Sequence, residues 1–220
     1  MEDIVKFVQG FKRFQDAYFG DHAELFQNLA KGQNPRTAIV ACSDSRVDPA
    51  LLTGSAPGDI FVIRNVANLV PPCDSGEGFH GVSAALEFAV CNLEVEHVIV
   101  FGHGECGGIR SLMRGDSDAQ YGGFIANWMR IAEKAKAQVL ATLGDKPFEL
   151  QLHACEKAAI LISLDNMMSF PWIRERVAAG RLALHGWYFN LKRGKLLSYS
   201  PRSGRFEPLG LEGPHAPLPR

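Results

Sequence analysis

Residues 99–108 read Ile-Val-Phe-Gly-His-Gly-Glu-Cys-Gly-Gly, an apolar run that breaks into a glycine-rich turn. That turn carries a histidine and a cysteine three positions apart. The run at 96–101 is β-branched and aromatic and stops at glycine, which predicts a short buried strand. Ile109, Leu112 and Met113 then fit the opening of a helix. A strand–turn–helix that sets imidazole beside thiol is a candidate metal site or a nucleophilic one.

The same stretch spells Gly102-x-Gly104-x-x-Gly107, the dinucleotide-binding spacing in an acceptable context. That reading needs a second strand about 20 residues on, ending in an acid. Asp116 and Asp118 instead lie in a polar loop, and 121–143 reads as a long helix. It also leaves His103 and Cys106 without a role, so the nucleotide reading is set aside.

The rest of the chain supplies the sheet around this unit. Residues 36–42 form the first buried strand, ending in Cys42-Ser43-Asp44-Ser45-Arg46. Asp48-Pro49 reads as an N-cap and first-turn proline, with Gly54 closing a short helix. Residues 59–65 form a second strand with Arg64 at its exit. Helical spacing runs from Val82 to Leu93 and returns the chain to the strand at 97–102. Helices follow at 121–143 and 147–168, then a shorter one capped by Ser169 and stopped at Gly180. Residues 181–189 alternate as a fourth strand, and 195–199 form a hairpin edge. Residues 1–20 read as an amphipathic helix, and Asp21 would cap a second one running to Ala30. Together residues 1–31 form a helical arm, placed either on its own core or across a partner subunit. The tail at 205–220, rich in proline and glycine, reads as irregular. One domain over 1–220 is expected: an α/β fold with a mostly parallel central sheet of four strands plus an edge strand, flanked by helices.

Composition narrows the function classes. A net charge of −1 in 220 residues gives no electrostatic footprint for nucleic acid or an anionic membrane. No apolar run approaches the roughly 20 residues that span a bilayer, and the first residues lack a signal-peptide core, so a cytoplasmic protein is expected. Five cysteines, an odd count, argue for reduced thiols over a disulfide framework.

In parallel sheets functional groups gather at the carboxyl ends of strands. Cys42, Arg64 and His103 all fall there. Cys42 from one strand end, with His103 and Cys106 from another, makes a Cys₂His set with one position open, a catalytic rather than a structural zinc arrangement. Cys73, Cys91 and Cys155 read as incidental thiols, and no proton shuttle is singled out among the remaining histidines.

Cys-x-Asp-x-Arg at 42–46 with His-x-x-Cys at 103–106 resembles the signature of the β-class carbonic anhydrases. The likeness continues through Pro57-Gly58-Asp59, Arg64-Asn65-Val66-Ala67-Asn68, Gly107-Gly108-Ile109 and Leu184-His185-Gly186, over about residues 30–200. The resemblance implies reversible hydration of carbon dioxide to bicarbonate and a proton by one zinc ion per chain. The ion is held by Cys42, His103 and Cys106, zinc hydroxide is the nucleophile, and Asp44 paired with Arg46 orients it. It also implies a homodimer or higher homo-oligomer whose N-terminal helices embrace the partner. Gln33, nine positions before the first cysteine, matches a substrate-binding glutamine of the plant-like subgroup. Phe61 and Val66 match its apolar pocket wall, and Gly107 offers an amide at a helix start. Phe88 stands where many relatives have tyrosine.

In one subgroup, bicarbonate binds away from zinc beside a tryptophan–arginine–tyrosine trio and shuts the enzyme. Here those positions read Ile39, Arg64 and Phe189, which predicts an enzyme held open. Two alternatives share the fold: a noncatalytic zinc scaffold and a carbon disulfide hydrolase.

Overall fold

The computed structural model describes residues 2–20, 23–74, 76, 78–115 and 123–209. Two helices, α1 (Glu2–Phe19) and α2 (Glu24–Leu29), precede the sheet. Phe14, Tyr18, Phe19 and Phe26 join them through ring contacts. Ile4, Phe7, Val8 and Phe11 of α1 are left more than half exposed. The residue that opens α2 is Ala23, with no side-chain cap; Asp21 lies outside the described residues.

The chain then alternates: β1 (Thr37–Cys42), α3 (Pro49–Thr53), β2 (Ile60–Asn65), α4 (Gly81–Glu87), β3 (His97–His103). Asp48 caps α3 by accepting from the Leu51 amide, and Gly54 closes it in the left-handed region, as the sequence predicts. Next come α5 (Gly107–Arg114), α6 (Phe124–Met129), α7 (Glu133–Leu143), α8 (Phe148–Met167) and α9 (Pro171–Ala178). The chain closes with β4 (Ala183–Asn190), β5 (Lys195–Ser200) and β6 (Arg205–Pro208).

The sheet order is β2-β1-β3-β4-β5-β6, with β1 to β4 mutually parallel and β5 and β6 antiparallel. A sixth strand therefore occupies part of the tail expected to be irregular. Its four residues Arg-Phe-Glu-Pro are too short to show a period, and pairing with β5 (Tyr199 opposite Phe206) organises them. The rest of that tail, from residue 210, is outside the described residues.

Two long helical patterns are interrupted. A wide turn at Phe88–Asn92 follows α4, where the Leu93 amide reaches back to the Phe88 carbonyl. A tight turn at Arg130–Ala132 separates α6 from α7. The cap predicted at Ser169 is not formed. Phe170 opens α9, and the Ser169 hydroxyl instead donates to the Asn166 carbonyl while accepting from the Cys73 amide.

Ala38 and Val40 of β1, Val98 and Val100 of β3 and Ile160 of α8 form one apolar core with α4 and α9 residues. A second core lies under α5, α7 and α8 and includes Cys42 and Cys106. The opposite face of the sheet carries a smaller cluster around Ile39, Ala41, Ile99 and Phe101, contributed entirely by strands rather than by the expected covering helices. Among the described residues no helix is long and apolar enough to cross a membrane.

Candidate metal centre

Parallel pairing brings the strand ends to one level. Cys42 closes β1 opposite Asn65 of β2, and Ala41 pairs with Phe101 of β3, two residues before His103. Cys106 stands just before the first residue of α5. The ligand atoms of Cys42, His103 and Cys106 all lie within 4.8 Å of one another. The three residues are 5, 2 and 1% exposed.

The histidine shows what this cluster is built to hold. His103 Nδ1 donates to the Gly104 carbonyl at 2.9 Å, since a carbonyl can only accept, and this leaves Nε2 as an acceptor. Nε2 is buried and, among the described residues, has no hydrogen-bond partner. An unmet polar atom of this kind costs about 1–3 kcal/mol. Here it faces two sulfurs. A borderline-soft ion taking two thiolates, an imidazole and one further ligand satisfies all three side chains, so the residues fit zinc.

The thiols share their protons unequally. The hydrogen bond from Cys106, joined by those of the Asp44 and Ala67 amides, outweighs burial and brings the Cys42 thiol down to about 4. The Ala67 amide lies 3.3 Å from the Cys42 sulfur, with Ala67 itself in the left-handed region at φ 64°. Cys106 is pushed strongly up, first by its bond to Cys42 and then by burial. Burial alone would lower His103, but the negative charges of Cys42 and Asp44 raise it. A bound cation is what allows both sulfurs to ionise.

Asp44 lies beside the cluster, its Oδ2 4.0 Å from His103 Nε2. Arg46 grips it twice, Nε on Oδ1 at 2.9 Å and Nη2 on Oδ2 at 2.7 Å, while the Arg46 amide adds a third bond to Oδ1 at 3.0 Å. Oδ1 thus carries two donors and Oδ2 one, so the oxygen nearer His103 keeps an accepting position. Arg46 Nη2 also reaches the Glu105 carbonyl, tying the 42–46 turn to the 103–106 turn.

Arg64 supports the same turn from behind. It donates to the carbonyls of Cys42, Asp44 and Val47 and to the Asp48 carboxylate. Ile39 belongs instead to the strand-only apolar cluster, and Phe189 packs against both that cluster and the second core.

The expected substrate residues divide into two groups. Val66 follows β2 next to the Ala67 amide, and Gly107 is the exposed first residue of α5, so both stand at the cluster. Phe61 and Phe88 do not, and Gln33 precedes Thr37, the end of β1 opposite Cys42. Phe61 pairs with Ala38, four residues before Cys42, which puts it about 13 Å along the strands at roughly 3.3 Å per residue. Phe88 stacks on Phe61 at 5.9 Å and is 44% exposed. Gln33 is exposed in the segment leading to β1.

The sequence reading passed over Glu156, which is 2% exposed and accepts from the Cys106 amide. Its one signal was an acid among the apolar residues of α8. A second acidic group, Glu105, Glu149 and His153, is already met by Arg110 and Lys192.

Comparisons with known proteins point to one family. The family profile described as carbonic anhydrase matches residues 37–196. Beta carbonic anhydrase 5, chloroplastic, of Arabidopsis thaliana is 43% identical over 83% of this chain, which spans 60% of that relative's length. A carbonic anhydrase of Synechocystis is 35% identical over 97% of this chain and 80% of its own. The structure of the β-carbonic anhydrase CcaA superposes with a TM-score of 0.89 at 33% identity, covering 96% of this chain and 94% of that one. A tetrameric β-carbonic anhydrase of Sordaria macrospora gives 0.79 at 27% identity, covering 90% and 97%.

Proposed function

Because the chain belongs to the β-class carbonic anhydrases, we propose that it catalyses the reversible hydration of carbon dioxide with one zinc ion held by Cys42, His103 and Cys106. The observation that carries this reading is the buried Nε2 of His103, unpartnered and turned to two sulfurs beside an Arg-locked Asp44. The chemistry that zinc supplies at such a site is a lowered pKa for water, and so a nucleophile near neutral pH.

The chain's own residues do the rest. Asp44 Oδ2, with an accepting position left, takes a hydrogen bond from the attacking oxygen and turns its lone pair toward the carbon. Arg46 fixes the Asp44 rotamer and offsets its charge, so the carboxylate does not oppose negative charge developing beside it. Val66 gives a nonpolar substrate an apolar wall, and the Gly107 amide stands at a helix start where a developing oxyanion is favoured.

Gln33, Phe61 and Phe88 serve the centre of a second copy. The distance of Phe61 from Cys42, the exposure of Phe88 and the exposed apolar face of α1 support a homo-oligomer with at least a two-fold dimer. All five cysteines are free, which supports a reducing, cytoplasmic setting.

Stopped-flow hydration of carbon dioxide by protein loaded with about one zinc per chain tests the reading. Fast turnover that disappears with the metal and returns with it is expected. Zinc bound without turnover would leave a scaffold, and no zinc bound would remove the centre altogether.

A further inference from the structure

Glu156 is a carboxylate buried in an apolar helix, and the reaction as described does not use it. Its neighbours on α8 include Leu152, Cys155, Ala159 and Ile160, each at most 1% exposed. Burying a charge among such groups is costly unless every lone pair is met. Here three donors from three parts of the chain meet it. The Cys106 amide donates to Oε1 at 3.0 Å. The Tyr188 hydroxyl of β4 donates to Oε2 at 2.8 Å, and His153 Nδ1, one turn earlier on α8, lies 3.1 Å from the same oxygen.

Both ends of the ligand turn rest on this group. Only Gly104 and Glu105 separate His103 from Cys106, and Glu105 sits in the left-handed region at φ 61°. A Cβ on Gly104 would stand 3.0 Å from the Tyr188 hydroxyl, so the turn is pressed against Tyr188 at its start. At its end, the Cys106 amide would have no helical partner of its own, being just before α5, and Glu156 accepts it. If the carboxylate served only the core, the bond to Tyr188 would already join α8 to β4. The bond to the Cys106 amide is aimed at the ligand.

We propose that Glu156 is a positioning residue for the metal centre: it holds the backbone of Cys106, braced by Tyr188 and His153, and so fixes the second thiolate of the ligand set. The inference rests on the reading of Cys42, His103 and Cys106 as a zinc site. Glutamine at 156 keeps the shape but offers one accepting oxygen where three donors converge, so the Cys106 bond competes with the other two.

The test uses the full-length protein, well below its unfolding temperature, with zinc affinity measured against a chromophoric chelator. Cobalt is then substituted and its thiolate charge-transfer and d–d bands recorded. Glu156→Gln is expected to weaken zinc binding by about 10–100-fold, the range seen when a group orienting a metal ligand is lost. The cobalt bands should shift, because the sulfur geometry has changed. Tyr188→Phe should move both readouts the same way by less. A Glu156→Gln protein with parental zinc affinity and parental cobalt bands overturns the proposal, whatever its melting temperature, and leaves Glu156 as core structure. If Glu156→Gln does not fold, Tyr188→Phe decides, and unchanged affinity and bands there overturn it too. A parent protein that binds no zinc would instead defeat the zinc reading itself.

Discussion

Arg46 and Asp44 form a two-pronged ion pair, Nε to Oδ1 at 2.9 Å and Nη2 to Oδ2 at 2.7 Å, and Arg46 Nη2 also donates to the Glu105 carbonyl. If Arg46 acts by aiming Asp44, the two residues work as one unit. Asp44→Asn and Arg46→Ala should each lower hydration by about 10²-fold at unchanged zinc content, the scale on which a misplaced group near the reacting atoms is felt. The double variant should lose little more than either alone. Losses that multiplied to about 10⁴-fold in stopped-flow assays would mean that the residues act independently.

The same pair sets an acid limit on stability. The hydrogen bond from Arg46 holds the Asp44 carboxyl well below the usual carboxylate range. A depressed folded-state pKa means folding favours the ionised form. The stabilisation is complete above the unfolded value of about 3.9 and is lost as pH falls through the folded one. Urea unfolding of metal-free protein should give a gap between parent and Asp44→Asn that is flat from about pH 8 to 5 and closes below about pH 4. A gap that closed between pH 8 and 6 would assign it to another group.

Arg64 spends its donors on the turn at 42–48 and on Asp48, while Ile39 and Phe189 offer an anion no polar contact. Bicarbonate should therefore inhibit along a simple hyperbola, and activity should fall without sigmoidal character as pH is lowered. Arg64→Ala should instead loosen that turn, at about 1.5–3 kcal/mol for the lost charged hydrogen bonds. Sigmoidal inhibition by bicarbonate, abolished by Arg64→Ala, would contradict this.

The proposed division of the site between two copies can be tested by complementation. Cys42→Ala removes a chain's own centre, and Gln33→Ala damages the centre of its partner. Each homodimer should be poorly active. Mixed, unfolded and refolded together, the two should regain roughly a quarter of parental activity, since half of random dimers carry one intact site of two. No gain over the separate proteins would place Gln33 at its own chain's centre.

Residue order alone determined the elements whose signals are local. The apolar runs ending at Cys42 and His103 marked β1 and β3, because a buried parallel strand is a short apolar stretch stopped by turn residues. Asp48-Pro49 and Gly54 likewise bounded α3, because capping is settled within one helical turn. From those strand ends the three candidate ligands and the Asp44–Arg46 pair could be named. Tertiary structure decided what depends on contacts distant in the chain. β6 exists because β5 pairs with it, and four residues show no period of their own. Phe61 and Phe88 lie away from Cys42 because parallel register, rather than composition, fixes how far along the sheet each residue falls. Glu156 reaches the Cys106 amide across 50 residues, a bond that only the packing of α8 behind the ligand turn could make.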